Sequence, residues 1–307
     1  MVFMDDNFLL TNETARVLYH QYASEMPVID YHCHIPAEEI AKDVRFSSIT
    51  DLWLGADHYK WCAMRLNGVP EELITGDGDP YEKFAAFAAT LERAVGNPLY
   101  HWSHLELQRY FGITEPLSRE SARRIYDLCN QVLEDPSMSA RGIIRRSNVK
   151  LLCTTDDPAD DLRWHRLIAM DMTFPVKVLP AFRPDRALGI EKKDFAAYIR
   201  GELGRSVNRP VTLYTDLKDA LRERIAFFAD NGCRTADHSL PYVMYAPCSD
   251  AQAEEIFRKA MNSEPVELYE QLQFKTNLLS FLASEYTKAG WVMQLHYGVK
   301  RDNNTRL

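Results

Sequence analysis

Nothing in this 307-residue chain approaches the roughly 18 consecutive apolar residues that a bilayer-spanning helix needs, so the sequence offers no membrane segment. An excess of basic residues is missing too. With 36 Lys and Arg against 44 Asp and Glu the net charge is -8, which leaves no cationic surface to neutralise phosphates. Nucleic acid and anionic membrane are therefore excluded as expected partners, and an anionic small molecule would have to be met by local arginines. The opening MVFMDDNF is acidic where a secretory signal is basic, and a cytoplasmic location is the expectation. Six cysteines lie far apart without a single CxxC pair, which speaks against a disulfide framework and against a zinc knuckle. Reduced thiols packed as small hydrophobes are expected instead. Low-complexity tracts and internal repeats are also lacking. What remains, 46% hydrophobic and 26% charged residues, is the composition of a globular protein.

Five segments share one form, a short apolar run that ends in polar or ionisable residues. They are Val28 to His34, Val149 to Pro158, Val176 to Pro184, Trp291 to Gly298 and, more weakly, Gly232 to His238. Each reads as a buried strand presenting side chains at its C-terminal end. Amphipathic helices are expected over Thr11 to Glu25, Asp216 to Asp230, Ala251 to Met261 and Leu268 to Ala289. Alternating strands and helices predict an α/β fold with a parallel sheet, either a TIM barrel or a doubly wound open sheet. Between the first two strands lie more than a hundred residues with helical stretches at Pro80 to Val95 and Ser118 to Leu133. The chain thus divides into residues 1–34 (N-terminal helix and first strand), 35–148 (a helical insertion packed over the sheet's mouth) and 149–307 (continuing βα units).

The chemistry concentrates at the strand ends. In His32-Cys33-His34 alternate residues of an extended strand share one side, so both imidazoles can face one metal ion. Taken alone, such a pair could equally be two hydrogen-bonded structural histidines. His296 and the Asp237-His238 pair end later strands, where an imidazole is a ligand, an acid-base group or a satisfied structural residue, and an aspartate also serves as a turn cap. Arg183 follows its strand directly, at a place suited to bidentate capture of a carboxylate. Arg301 and Arg306 follow His296, and His58-Tyr59-Lys60-Trp61 is an aromatic cluster in the insertion.

Taken in order, VIDYHCH, HYKWCAMRLNGVPE, LLCTTDDP, VLPAFRPD, GCRTADHSL and HYGVKRDNNTR resemble the uronate (glucuronate) isomerases of the amidohydrolase superfamily across almost the whole chain. The resemblance implies a distorted (β/α)8 barrel of the metal-dependent hydrolase type, a divalent metal with zinc as the first expectation, and reversible aldose-ketose isomerisation. The implied substrates are D-glucuronate, converted to D-fructuronate, and D-galacturonate, converted to D-tagaturonate. It assigns His32 and His34 as metal ligands, Tyr59, Asp237 and His296 as catalytic residues, and His58, Arg183 and Arg301 as substrate contacts. It also implies that family members continue past Leu307 with three more strands, the last bearing an aspartate ligand and an arginine. About five strands and two of the usual three ligands would then be present, and the chain is expected to be truncated, to bind metal weakly and to isomerise poorly. The edge after the fifth strand would need cover from another chain, which leaves a homo-oligomer open. The competing readings are a metal-dependent amidohydrolase, disfavoured by the strand-end arginines and the lack of a lysine suited to carboxylation at the fourth strand, and a non-catalytic fragment.

Overall fold

The computed structural model describes residues 4–298. Within these, no helix is long and apolar enough to cross a membrane. The chain separates into two units, one of residues 1–28 and 42–149, the other of residues 29–41 and 150–307.

The first unit is helical, and its helices begin and end where the side chains dictate. Asp79 accepts hydrogen bonds from the main-chain nitrogens of Tyr81 and Glu82, and Pro80 fills the first helical position, so Pro80–Leu91 starts there. Phe84, Phe87, Ala88 and Leu91, spaced for one face, are buried. Helix Pro98–Phe111 starts on the Asn97 cap and stops at Gly112, whose φ of 69° in the left-handed region suits glycine. Together with Trp53, Leu107, Ile125 and Cys129 these residues form one apolar core. The expected N-terminal helix runs as Glu13–Leu18, capped by Asn12, and continues as a wider turn over Tyr19–Ala23.

In the second unit the sheet elements are β1 (Val28–Asp30), β2 (Val149–Cys153), β3 (Lys177–Leu179), β4 (Thr235–Leu240) and β5 (Val292–Tyr297). The boundary between units falls within β1 and β2. β1, β2 and β3 are neighbours in that order, β2 and β3 are parallel, and β4 and β5 form a second parallel pair. Phe182 bridges the two sheets, since its nitrogen donates to Thr235 O and its oxygen accepts from Asp237 N. Its ring is fully buried against Phe228, at 5.1 Å between centroids. Helix Tyr214–Asp230 buries Leu217, Leu221, Ile225 and Phe228, and helix Leu268–Ala289 buries Phe274, Leu278, Leu282 and Tyr286. That second helix ends on Gly290, again left-handed at 69°.

Two strand expectations are corrected. β1 stops at Asp30, so His32 and His34 stand in the loop that follows rather than on the strand, and Val28 and Ile29 are exposed rather than buried. β4 starts at Thr235 and runs on to Leu240, because the preceding residues finish the turn out of helix Tyr214–Asp230, with Gly232 at φ 90°. All six cysteines are free. Burial pushes the thiols of Cys33, Cys129 and Cys233 up to about 12, which leaves them inert as nucleophiles.

Candidate functional site

On β4 the alternation of the strand sends Thr235, Asp237 and Ser239 to one side and Ala236, His238 and Leu240 to the other. β5 runs alongside with Gln294 opposite Asp237 and His296 opposite Ser239. Asp237 and His296 are therefore diagonal neighbours on one face, and His296 Nδ1 stands 2.6 Å from Asp237 Oδ1. A neutral His296 that donates Nδ1–H to this carboxylate carries its lone pair on Nε2. Gln294 links the same face to the histidine loop, donating to Thr235 Oγ1 at 2.6 Å and to Tyr31 O at 3.1 Å.

His32 lies over this pair, its ring 4.5 Å from that of His296, with Nδ1 3.8 Å from Asp237 Oδ2. That nitrogen is buried and has no hydrogen-bond partner. His34 stands edge-on to His32, with centroids 4.9 Å apart. Burial lowers the pKa of both imidazoles, and for His32 the Asp237 carboxylate opposes the shift. The direction of the shift favours the neutral ring, the form that has a lone pair to offer a cation. Ligand atoms of His32, Asp237 and His296 all lie within 4.8 Å of one another, a set able to hold a metal ion. The triad thus includes a carboxylate, where the sequence pointed to two histidines as the only protein ligands. His34 lies outside it, and Asp237 and His296, which the family resemblance assigns as catalytic residues, are inside.

Arg183, carried past β3 by the Phe182 bridge, donates from Nη1 to Asp237 Oδ2 at 2.9 Å and from Nε to Asp185 Oδ2 at 2.8 Å. The strand-end guanidinium is thus already engaged by two carboxylates, and among the described residues no hydrogen bond uses its Nη2. Arg183 and Asp185 also border a cavity of about 570 Å³ with Leu188, Tyr198, Leu240 and Met244 among its walls. Beside Arg183, whose nitrogen donates to Asp156 O, a second polar cluster is buried. Thr154 Oγ1 lies 2.7 Å from Asp156 Oδ2 and 2.8 Å from His165 Nε2, and Ala181 N donates to the same Asp156 oxygen. Burial raises Asp156 to about 7 and lowers His165 to about 4.

The remaining predicted residues stand apart from this description. His58 and Tyr59 belong to the first unit, where they open helix His58–Leu66 behind the Asp57 cap, and Tyr59 is 76% exposed. Arg301 and Arg306 lie outside the described residues. Sequence reasoning assigned no role to Asp185 or Asp156. The Arg-x-Asp spacing of Arg183 and Asp185 was the available signal for the first, and the strand-end Thr-x-Asp of Thr154 and Asp156 for the second.

Comparison with known proteins follows the same lines. The sequence model of the family described as glucuronate isomerase matches residues 1–307. A uronate isomerase of Lachnoclostridium phytofermentans is 52% identical over 302 residues, 98% of this chain and 65% of its own length. One from Lachnospira eligens is 51% identical over 98% of this chain and 64% of its own length. The chain thus spans about 65% of the length of such relatives. Among solved structures, the uronate isomerase of Thermotoga maritima superposes with a TM-score of 0.92 at 33% identity, covering 100% of this chain and 67% of that one. The glucuronate isomerase of Caulobacter crescentus gives 0.90 at 26% identity, covering 99% and 65%.

Proposed function

The chain belongs to the glucuronate isomerase family, and on that premise we propose that its second unit carries the metal and substrate centre of a hexuronate isomerase. The reaction is the interconversion of D-glucuronate with D-fructuronate and of D-galacturonate with D-tagaturonate. The observation that carries this reading is the convergence of His32, Asp237 and His296 with Arg183 on a face of parallel strands. The parallel pairings also support a distorted (β/α)8 barrel interrupted in sequence by the helical segment 35–148. The free thiols are in keeping with a cytoplasmic setting.

The residues present fit a divalent cation. His32 Nδ1 is a buried ring nitrogen without a partner, 3.8 Å from a fully buried carboxylate, and His296 adds a second imidazole. Two imidazole nitrogens and one carboxylate oxygen are a donor set of catalytic zinc sites, so zinc is the proposed ion, held by His32, Asp237 and His296 with His34 adjacent. A bound cation supplies Lewis-acid polarisation of the sugar's carbonyl and hydroxyl oxygens.

Aldose-ketose isomerisation moves a proton from C2 to C1 and needs a base, a donor and a hold on the substrate's far end. Asp237 is the proposed base beside the cation, and His296, whose Nε2 is the nitrogen left for the cation, orients that carboxylate through Nδ1–H. Arg183 holds the other carboxylate oxygen and has Nη2 to offer to the sugar acid's own carboxylate. For His58, Tyr59 and Arg301 the proposed roles, substrate contact for His58 and Arg301 and proton transfer for Tyr59, rest on the family resemblance alone.

The test is hydrogen exchange at C2 of D-glucuronate in D2O, followed by proton NMR with the zinc-supplemented protein. Exchange and ketose formation are expected to be detectable but slow for the wild type, which spans only part of its relatives' length, and are lost in His32→Ala and Asp237→Asn. Stoichiometric zinc binding with neither exchange nor ketose would sink the isomerase reading.

A further inference from the structure

We infer that Asp185 is a positioning residue, which fixes the guanidinium of Arg183 on Asp237 and thereby sets how that carboxylate is presented to the triad. Its consequence for the triad rests on the metal reading proposed above.

Asp185 uses its two oxygens on two different elements. Oδ2 accepts from Arg183 Nε at 2.8 Å, and Oδ1 accepts from the main-chain nitrogen of Ser239 at 3.0 Å. Ser239 stands opposite His296 in the β4–β5 register. The carboxylate therefore ties the segment after β3 to β4 at the level of the triad. A guanidinium is planar, so a partner on Nε fixes the direction of Nη1 as well. With Nε seated on Asp185, Nη1 lies 2.9 Å from Asp237 Oδ2, and Asp237 Oδ1 is left for His296. Pro184 between the two residues restricts the backbone and keeps the Arg183–Asp185 spacing preset.

Without Asp185 the long Arg183 side chain regains rotamers, and the buried Asp237 loses a cation held at fixed geometry. Outer partners of ligating carboxylates act in this way, and their loss typically weakens metal binding about 10- to 100-fold. Asp185 itself is 29% exposed in its side chain, so its replacement opens no sealed void, and variants are expected to fold. Asp185→Asn is a selective change, because the amide oxygen can still accept from Ser239 N while the amide nitrogen faces Arg183 Nε donor to donor.

Two readouts test the inference on wild type, Asp185→Asn and Asp185→Glu. One is solvent exchange of the Arg183 Nε–H resonance by nitrogen-15 NMR, and the other is zinc affinity by competition with a chromophoric chelator. In Asp185→Asn the Nε–H is expected to lose its protection and zinc affinity to fall about tenfold, with the urea midpoint near that of the wild type. Asp185→Glu should restore part of both. Retained Nε–H protection in Asp185→Asn overturns the inference whatever the metal does, and so does lost protection with unchanged zinc affinity. If the wild type takes up no zinc in a manner sensitive to His32→Ala, the metal reading fails, and the exchange comparison alone decides whether Asp185 positions Arg183.

Discussion

Histidine nitrogens are buried in both units, and the units treat them in opposite ways. In the first unit His104 is 2% exposed and its ring is fully employed, with Nδ1 2.6 Å from Tyr100 O and Nε2 accepting from Leu117 N at 2.8 Å. In the second unit His32 Nδ1, His165 Nδ1 and both nitrogens of His238 are buried with no hydrogen-bond partner, as are Tyr286 Oη and Trp291 Nε1. Among the described residues Ser103 Oγ is the first unit's one counterpart. A buried polar atom left unpaired costs about 1–3 kcal/mol, so such atoms are removed from a fold unless something else requires them. Six of the seven such atoms among the described residues lie in the second unit, the one in which the cation site is proposed. A histidine already spent on two main-chain partners has nothing left for a cation, whereas His32 has.

The sharpest way to break this contrast is to remove the triad's carboxylate. Asp237→Asn should lower zinc affinity by more than about 100-fold, beyond what loss of an outer partner costs, because the anionic donor itself disappears. Chelator competition reads this directly, and an affinity within a few-fold of the wild type would mean that Asp237 is not a ligand. The reciprocal change is His104→Ala. It strands the Leu117 N–H and opens a cavity, and should destabilise by about 2–3 kcal/mol while leaving zinc affinity unchanged. Urea unfolding and the chelator assay together check it. A fall in zinc affinity with His104 would dissolve the distinction between the two histidines.

The same contrast explains what could be read from the sequence. Helix Leu268–Ala289 was legible to the residue because its apolar spacing and terminal glycine are local signals. The strand-end clustering of His32, Arg183, Asp237 and His296 was legible because parallel strands deliver their C-terminal residues to one side. Which of them stand close enough for a common cation was not, since that depends on the β4–β5 register, and only the offset between Asp237 and His296 brings Oδ1 to Nδ1. Likewise the sequence could not say that Arg183 would spend Nε and Nη1 on Asp185 and Asp237, because both contacts depend on where the chain turns after Phe182.

The smallest expected effect tests whether the second unit's uneven polarity extends beyond the triad, to Asp156 and His165. Asp156, 8% exposed, is raised by burial to about 7 from an ordinary 3.8, so between about pH 4 and 7 the folded protein holds a proton that the unfolded chain has lost. Its contribution is fully present below the unfolded value and fades as pH rises toward 7. His165, 4% exposed, is lowered by burial to about 4 from 6.5, so between about 4 and 6.5 the unfolded chain holds the extra proton. That contribution is present above 6.5 and fades as pH falls toward 4. The two slopes oppose each other in the shared window, and Thr154 Oγ1, within hydrogen-bond distance of both, lets the neutral pair stay bonded. Asp156→Asn removes the first slope and leaves the second. The stability of the variant should therefore climb more steeply with pH than that of the wild type between pH 4.5 and 6.5, by about 1 kcal/mol per pH unit, and His165→Gln should tilt the curve the other way. Urea unfolding at pH 4.5, 5.5 and 6.5 measures both. Parallel curves for wild type and Asp156→Asn would mean that this carboxyl titrates alike in the folded and unfolded chain, and that the unmet polarity of the second unit is confined to the residues of the proposed cation site.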